Sequence, residues 1–168
     1  MFFTALTSAY IVRAASATDW RPLAMPRILW LSTALILLSS VTFEIARRNL
    51  KAANNGGYLR GISITGLLGL GFLVAQLLAW RQLASQGIFL KSNPHSSFFY
   101  LLTASHGLHL VVGLLAVIYL LLRTRERRAE SLAEANRLAI ADAVGIYWHF
   151  MDGLWIYLFL LLFLWRSQ

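Results

Sequence analysis

"GISITGLLGLGFLVAQLLAW", residues 61–80, runs twenty positions without a charged side chain. At 1.5 Å of rise per residue such a run forms a helix about 30 Å long, the thickness of a bilayer's hydrocarbon core. Its glycines Gly66, Gly69 and Gly71, with Ser63 and Thr65, are the small residues that let helices approach closely in lipid. The expectation is a transmembrane helix, central in a bundle.

The pattern recurs on both sides. "RILWLSTALILLSSVTFEIARR" enters after Pro22 and Pro26 and closes on Arg47 and Arg48, with its apolar part over residues 28–46. "SSFFYLLTASHGLHLVVGLLAVIYLLLR" follows the turn signal Asn93-Pro94 and ends in a charged loop, "RTRERRAESLAEANR". The spans are therefore read as 28–46, 61–81, 96–122 and 138–165, in one membrane domain covering 1–168. The opening "MFFTALTSAYIVR" is too short to cross, so residues 1–13 read as a partial helix whose beginning is missing. A signal peptide is the rival for this stretch, but it lacks a basic segment before the apolar part. The fold class is all-α, a polytopic bundle of four full spans plus an amino-terminal half-helix.

Composition agrees. The 168 residues are 58% hydrophobic and 13% charged, outside the usual range of soluble domains. The net charge of +8 lies between apolar spans rather than interleaved with aromatics, so it argues for membrane topology over nucleic acid. No cysteine is present, which removes disulfides, thiolate metal sites and cysteine nucleophiles and leaves the redox compartment unread. Loops 47–60 and 123–137 carry nine Lys and Arg against six on the opposite side. The positive-inside rule then places those loops in the cytoplasm and the carboxyl terminus outside.

Ionisable groups inside a span are costly unless paired. His106 and His109 lie three apart in one span, and His149 and Asp152 three apart in the next, at similar depth. If the two helices are neighbours, the four side chains converge. Imidazole and carboxylate ligands on facing helices can build a metal site, His106 and His149 can ligate a haem, and the same groups can equally form a hydrogen-bonded cluster that locks two helices. Spacing does not separate these. Glu44 and Asp142 stand near span ends, where carboxylates serve either as interfacial charges or near a proton entry point. Trp148 and Trp155 lie deeper than a tryptophan belt at the interface and are expected to pack.

At "FFYLLTASHGLH", followed some forty residues later by "YWHFMDGLW", the chain resembles subunit III of the haem-copper terminal oxidases, the cytochrome c oxidase subunit III family. The two motifs stand in the family's order and separation. The upstream spans and "DWRPL" extend the resemblance over nearly the whole chain. The resemblance implies a subunit without haem or copper of its own, seated beside catalytic subunit I, with subunit II and cytochrome c reached through the complex. It implies phospholipid bound between helices, support of proton uptake, and protection of the partner during turnover. His106, His109, Trp148, His149 and Asp152 then become the family's buried polar cluster, and no catalytic, cofactor-binding or metal residue is expected. Asp142 stands where many members carry glutamate. In the family a Ser-Glu pair commonly precedes the stretch resembling Met1-Phe2-Phe3, so an internal or shortened start is expected, and Glu44 does not inherit that glutamate's role. Alternatives are the same fold in a quinol oxidase or a nitric-oxide reductase accessory subunit, and a free-standing metal or haem protein using His106, His109, His149 and Asp152. A transporter would need a continuous polar path, which the apolar spans do not offer.

Overall fold

In the computed structural model, residues 2–16, 26–89, 94–125 and 131–164 are described, and within them every regular element is a helix. The stretch "DWRPL", Lys91, residues 126–130 and the end from Trp165 lie outside the described residues. The helices are α1 (Phe2–Ser16), α2 (Ile28–Lys51), α3 (Asn55–Ser85), α4 (Pro94–Arg125) and α5 (Ser131–Leu164). The last four are long and apolar enough to cross a membrane.

Local chemistry sets their ends. Arg48 and Lys51 sit in the last turn of α2, where cations offset the partial negative charge of the helix terminus. The chain reverses through Ala53, at φ 55°, and Asn54, whose side chain accepts from Gly57 N–H at 3.0 Å and starts α3. At the far end of α3, Gly87 takes φ 76°. There Gly87 N–H donates to the Ala84 carbonyl at 3.0 Å and Ile88 N–H to that of Leu83 at 3.0 Å, a Schellman arrangement. Pro94 opens α4, where its missing N–H costs no helical bond. The helices overrun the apolar runs expected from sequence, most clearly in α5, which begins at Ser131 rather than near 138 because "LAEANR" favours helix.

Serine and threonine hydroxyls inside the spans turn back onto their own helix. Ser32 and Thr33 donate to the Leu29 carbonyl at 2.9 and 2.8 Å, and Thr65 to that of Gly61 at 3.0 Å. In hydrocarbon, where water cannot satisfy them, this removes most of the cost of carrying them.

α3 packs on α2 and α4, and α5 closes the ring by packing on the same two helices; α1 leans on α4. Thus α3 is one wall of a ring, not its centre. The closest approach is between α2 and α3. A Cβ built on Gly61 would fall 2.6 Å from the Ala46 Cβ, and the hydroxyls of Thr42 and Thr65 meet at 2.8 Å. Inside the ring lie Trp148, Trp155, Phe43, Phe72 and Phe99, all fully or almost fully buried. Outside lie large apolar residues such as Leu67, Leu115 and Ile146, a surface suited to lipid.

A tryptophan keystone and dispersed polar residues

Trp148 is the residue around which the four spans close. Its indole Nε1 donates to Ser39 Oγ of α2 at 3.1 Å, and its ring lies nearly parallel to Phe43, at 13° and 6.3 Å between centroids. Phe43 in turn occupies the space above Gly145, where an added Cβ would come within 2.9 Å of the phenyl ring. The other side of the indole faces two glycines. A Cβ on Gly69 of α3 would lie 3.0 Å from the ring, and one on Gly113 of α4 would lie 3.3 Å from it. One side chain of α5 therefore fills a slot formed by all three neighbours, which explains its burial.

A polar seam runs along α2 and α5. Besides Trp148, Trp155 Nε1 donates to Thr33 Oγ1 at 3.0 Å, and His149 Nδ1 shares a 2.6 Å hydrogen bond with Ser40 Oγ. Trp148 and Trp155 are seven apart while Ser39 and Thr33 are six apart in the opposite sense, as antiparallel helices require. The seam was not anticipated. Its sequence signal is the run of hydroxyl side chains at Thr33, Ser39 and Ser40 within an otherwise apolar span.

The four ionisable side chains expected to converge do not. Among the described residues no group of three or more His, Cys, Asp or Glu is placed to hold a metal ion. His149 is exposed on the outer surface while Asp152 is buried, facing inward. The nearby hydroxyl of Ser40 is bonded to His149, and neither Asp152 carboxyl oxygen has a hydrogen-bond partner. His106 is fully buried, edge-on to Phe72 at 5.7 Å and tilted over Trp155 at 5.1 Å, with neither ring nitrogen hydrogen-bonded. Gln76 of α3 is a further buried polar side chain without a partner, and sequence reasoning missed it. His109 turns toward α1, where Phe3 meets its ring edge-on at 5.3 Å, and its Nδ1 donates to the Ser105 carbonyl at 2.8 Å. The geometric reason is simple. Residues three apart on an α-helix differ by about 60° around the axis, enough to send one inward and the other to a flank.

The α4–α5 contact is made instead by Tyr147, whose hydroxyl donates to the His109 backbone carbonyl at 2.8 Å, and by Trp155 against His106. His149 faces α2, so the motif meets both neighbours: the first span through Trp148, His149 and Trp155, and "HGLH" through Tyr147 and Trp155.

Glu44 and Asp142 are joined through one cation. Arg47 donates from Nε to Glu44 at 2.9 Å and from Nη1 to Asp142 at 3.0 Å, while Arg48 reaches Glu44 at 3.1 Å and Lys51 lies 3.6 Å from Asp142. All are partly exposed, at the end of the bundle that carries the α2–α3 turn. Near the opposite end, Trp80, Arg81, Ala84, Phe89, Tyr100 and Leu101 line an almost wholly apolar groove of about 540 Å³ between α3 and α4. Trp80 Nε1 bonds Thr103 Oγ1 at 3.1 Å and Tyr100 donates to the Ile88 carbonyl at 2.9 Å, fixing two of its walls.

Known proteins resemble this chain over nearly its whole length. The family description "Cytochrome c oxidase subunit III" matches residues 1–167. A protein of Mycobacterium tuberculosis named a probable cytochrome c oxidase subunit 3 is 34% identical over 167 residues, covering 97% of this chain and 80% of its own length. A protein of Nocardia farcinica with the same name is 34% identical over 163 residues, 95% of this chain and 78% of its own. The cytochrome c oxidase subunit 3 of Synechocystis is 30% identical over 166 residues, 96% of this chain and 69% of its own. With the spans, the motifs and the relatives in agreement, the chain belongs to the cytochrome c oxidase subunit III family, as an integral membrane subunit of an oxidase complex.

Proposed function

We propose that this chain is a structural and regulatory subunit of a haem-copper terminal oxidase in aerobic respiration. It does no chemistry of its own, stands against subunit I, supports proton uptake there and binds phospholipid. Haem and copper are held by partner subunits, and subunit II and cytochrome c are met through the complex. The observation that carries this reading is the use of the polar side chains. Ser39, Ser40, Thr33, Tyr147, Trp148, His149 and Trp155 bond helix to helix, and among the described residues no three of His, Asp or Glu are grouped to hold a metal ion. The apolar groove beside Arg81 supports lipid binding, since it pairs a slot for an acyl chain with a cation for a headgroup phosphate. The excess of Lys and Arg in loops 47–60 and 123–137 supports a bacterial plasma-membrane orientation with both loops cytoplasmic and the carboxyl terminus outside.

Affinity purification of the tagged chain from membranes in mild detergent is the test. The expected result is recovery of haem- and copper-bearing subunits with cytochrome c oxidase activity, and no Soret band on the chain once it is separated. Recovery of the chain alone with stoichiometric haem or metal would overturn the proposal.

A further inference from the structure

His149 sits one residue from the middle of its 29-residue span, Asn136–Leu164, and Ser40, its partner, sits at the middle of the span Ile28–Lys51. The pair therefore lies near the bilayer midplane. Nδ1 of His149 is taken by Ser40 at 2.6 Å, the residue is exposed, and no described residue bonds Nε2. In either neutral tautomer Nε2 remains a strong donor or acceptor. Hydrocarbon can satisfy neither, and at this depth water is absent.

The surface around it differs from that of the neighbouring span. The outer stripe of α3 is made of large aliphatic side chains, Leu67, Leu70, Val74 and Leu77, which lipid accommodates. On α5, His149 is followed one turn on by Gly153 and one turn further by Tyr157, all exposed. Nothing lies within 4 Å of a Cβ built at Gly153, so a notch opens beside the histidine, flanked by exposed Phe150. A notch next to an unsatisfied polar group is the pattern by which transmembrane helices recognise one another.

We infer that the outer face of α5 at His149, Gly153 and Tyr157 docks a transmembrane helix of another oxidase subunit, one that offers a hydroxyl, amide or carboxyl to His149 Nε2 at the bilayer midplane. This rests on the reading of the chain as an oxidase subunit. A second copy of the chain is the poorer occupant. A two-fold axis along the membrane normal sets equal depths against each other and opposes Nε2 to Nε2, and two such imidazoles bond only when one copy carries the proton on Nε2 and the other on Nδ1, which breaks the symmetry of the pair.

Photo-crosslinking in the assembled complex tests it. Phe150→benzoylphenylalanine on α5 is compared with the same replacement at Leu67 and Leu115, exposed on α3 and α4. The inference expects adducts to another oxidase subunit several-fold more abundant from Phe150 than from either control. A yield no higher than the controls, or adducts only between copies of this chain, overturns it. His149→Leu is expected to lower the amount of partner subunits recovered with the chain, and His149→Gln, which keeps an amide, to restore much of it. Equal recovery with both variants contradicts the proposed bond. Normal copurification with no adduct at Phe150 refutes this docking face alone, whereas absence of any oxidase subunit in the purification refutes the functional reading itself.

Discussion

At Trp148 one side chain answers to three helices. Its ring lies against Gly69 and Gly113 closely enough that neither position accepts a methyl group without a shift, and its N–H reaches Ser39. Replacing Trp148 by alanine is expected to cost about 3 to 5 kcal/mol of stability in mixed-micelle unfolding, through the cavity left behind. Trp148→Phe keeps most of the ring contact and loses only the hydrogen bond, so a loss of about 1 kcal/mol is expected, in line with the modest worth of interhelical bonds in membranes. Equal losses for the two variants would show that packing is not the main contribution. Sequence alone marked Trp148 as buried but not its slot, because neither glycine announces which aromatic will lie over it. The histidines show the same limit. Their spacing was visible, but whether a 60° offset leaves two side chains together depends on how each helix is rotated, and rotation is set by neighbours.

At the scale of elements, the α2–α3 contact and the charged cluster make separable predictions. Gly61→Ala would drive a methyl group to 2.6 Å from Ala46 Cβ and 3.0 Å from its Cα, so the two helices must part. The expected loss is about 1 to 3 kcal/mol. Gly71→Ala meets only Leu35 Cδ1 at an ordinary 3.6 Å and is expected to be neutral or mildly stabilising, since alanine favours helix. Thermal unfolding in detergent of the two variants side by side checks the contrast. Arg47 binds Glu44 and Asp142 from positions whose side chains keep about a third of their surface exposed. A double-mutant cycle with Arg47→Gln and Asp142→Asn should therefore give a coupling under about 1 kcal/mol that shrinks with added salt. A large, salt-insensitive coupling would point to a buried role for this pair. The four spans were legible because uninterrupted apolar runs and flanking charges are local properties. The Arg47–Asp142 bridge joins residues 95 apart in sequence and the Trp–Ser seam residues 109 apart, so nothing local announces either.

For the whole molecule, the ring of four spans with α1 on its flank presents two kinds of outer surface. Aliphatic faces of α3 and α4 suit lipid, while the face of α5 carries His149 where lipid offers it no partner. Family membership was legible from two motifs, and the structure adds how their residues are used: Tyr147, Trp148, His149 and Trp155 bond helix to helix. The central claim is that the chain supports an oxidase whose redox centres lie elsewhere. Its most direct test is to compare purified oxidase with and without this chain, recording the haem spectrum and oxygen consumption over sustained turnover. The account predicts an unchanged haem spectrum and a rate that decays faster when the chain is missing. Soret absorbance lost in proportion to the chain removed would contradict it.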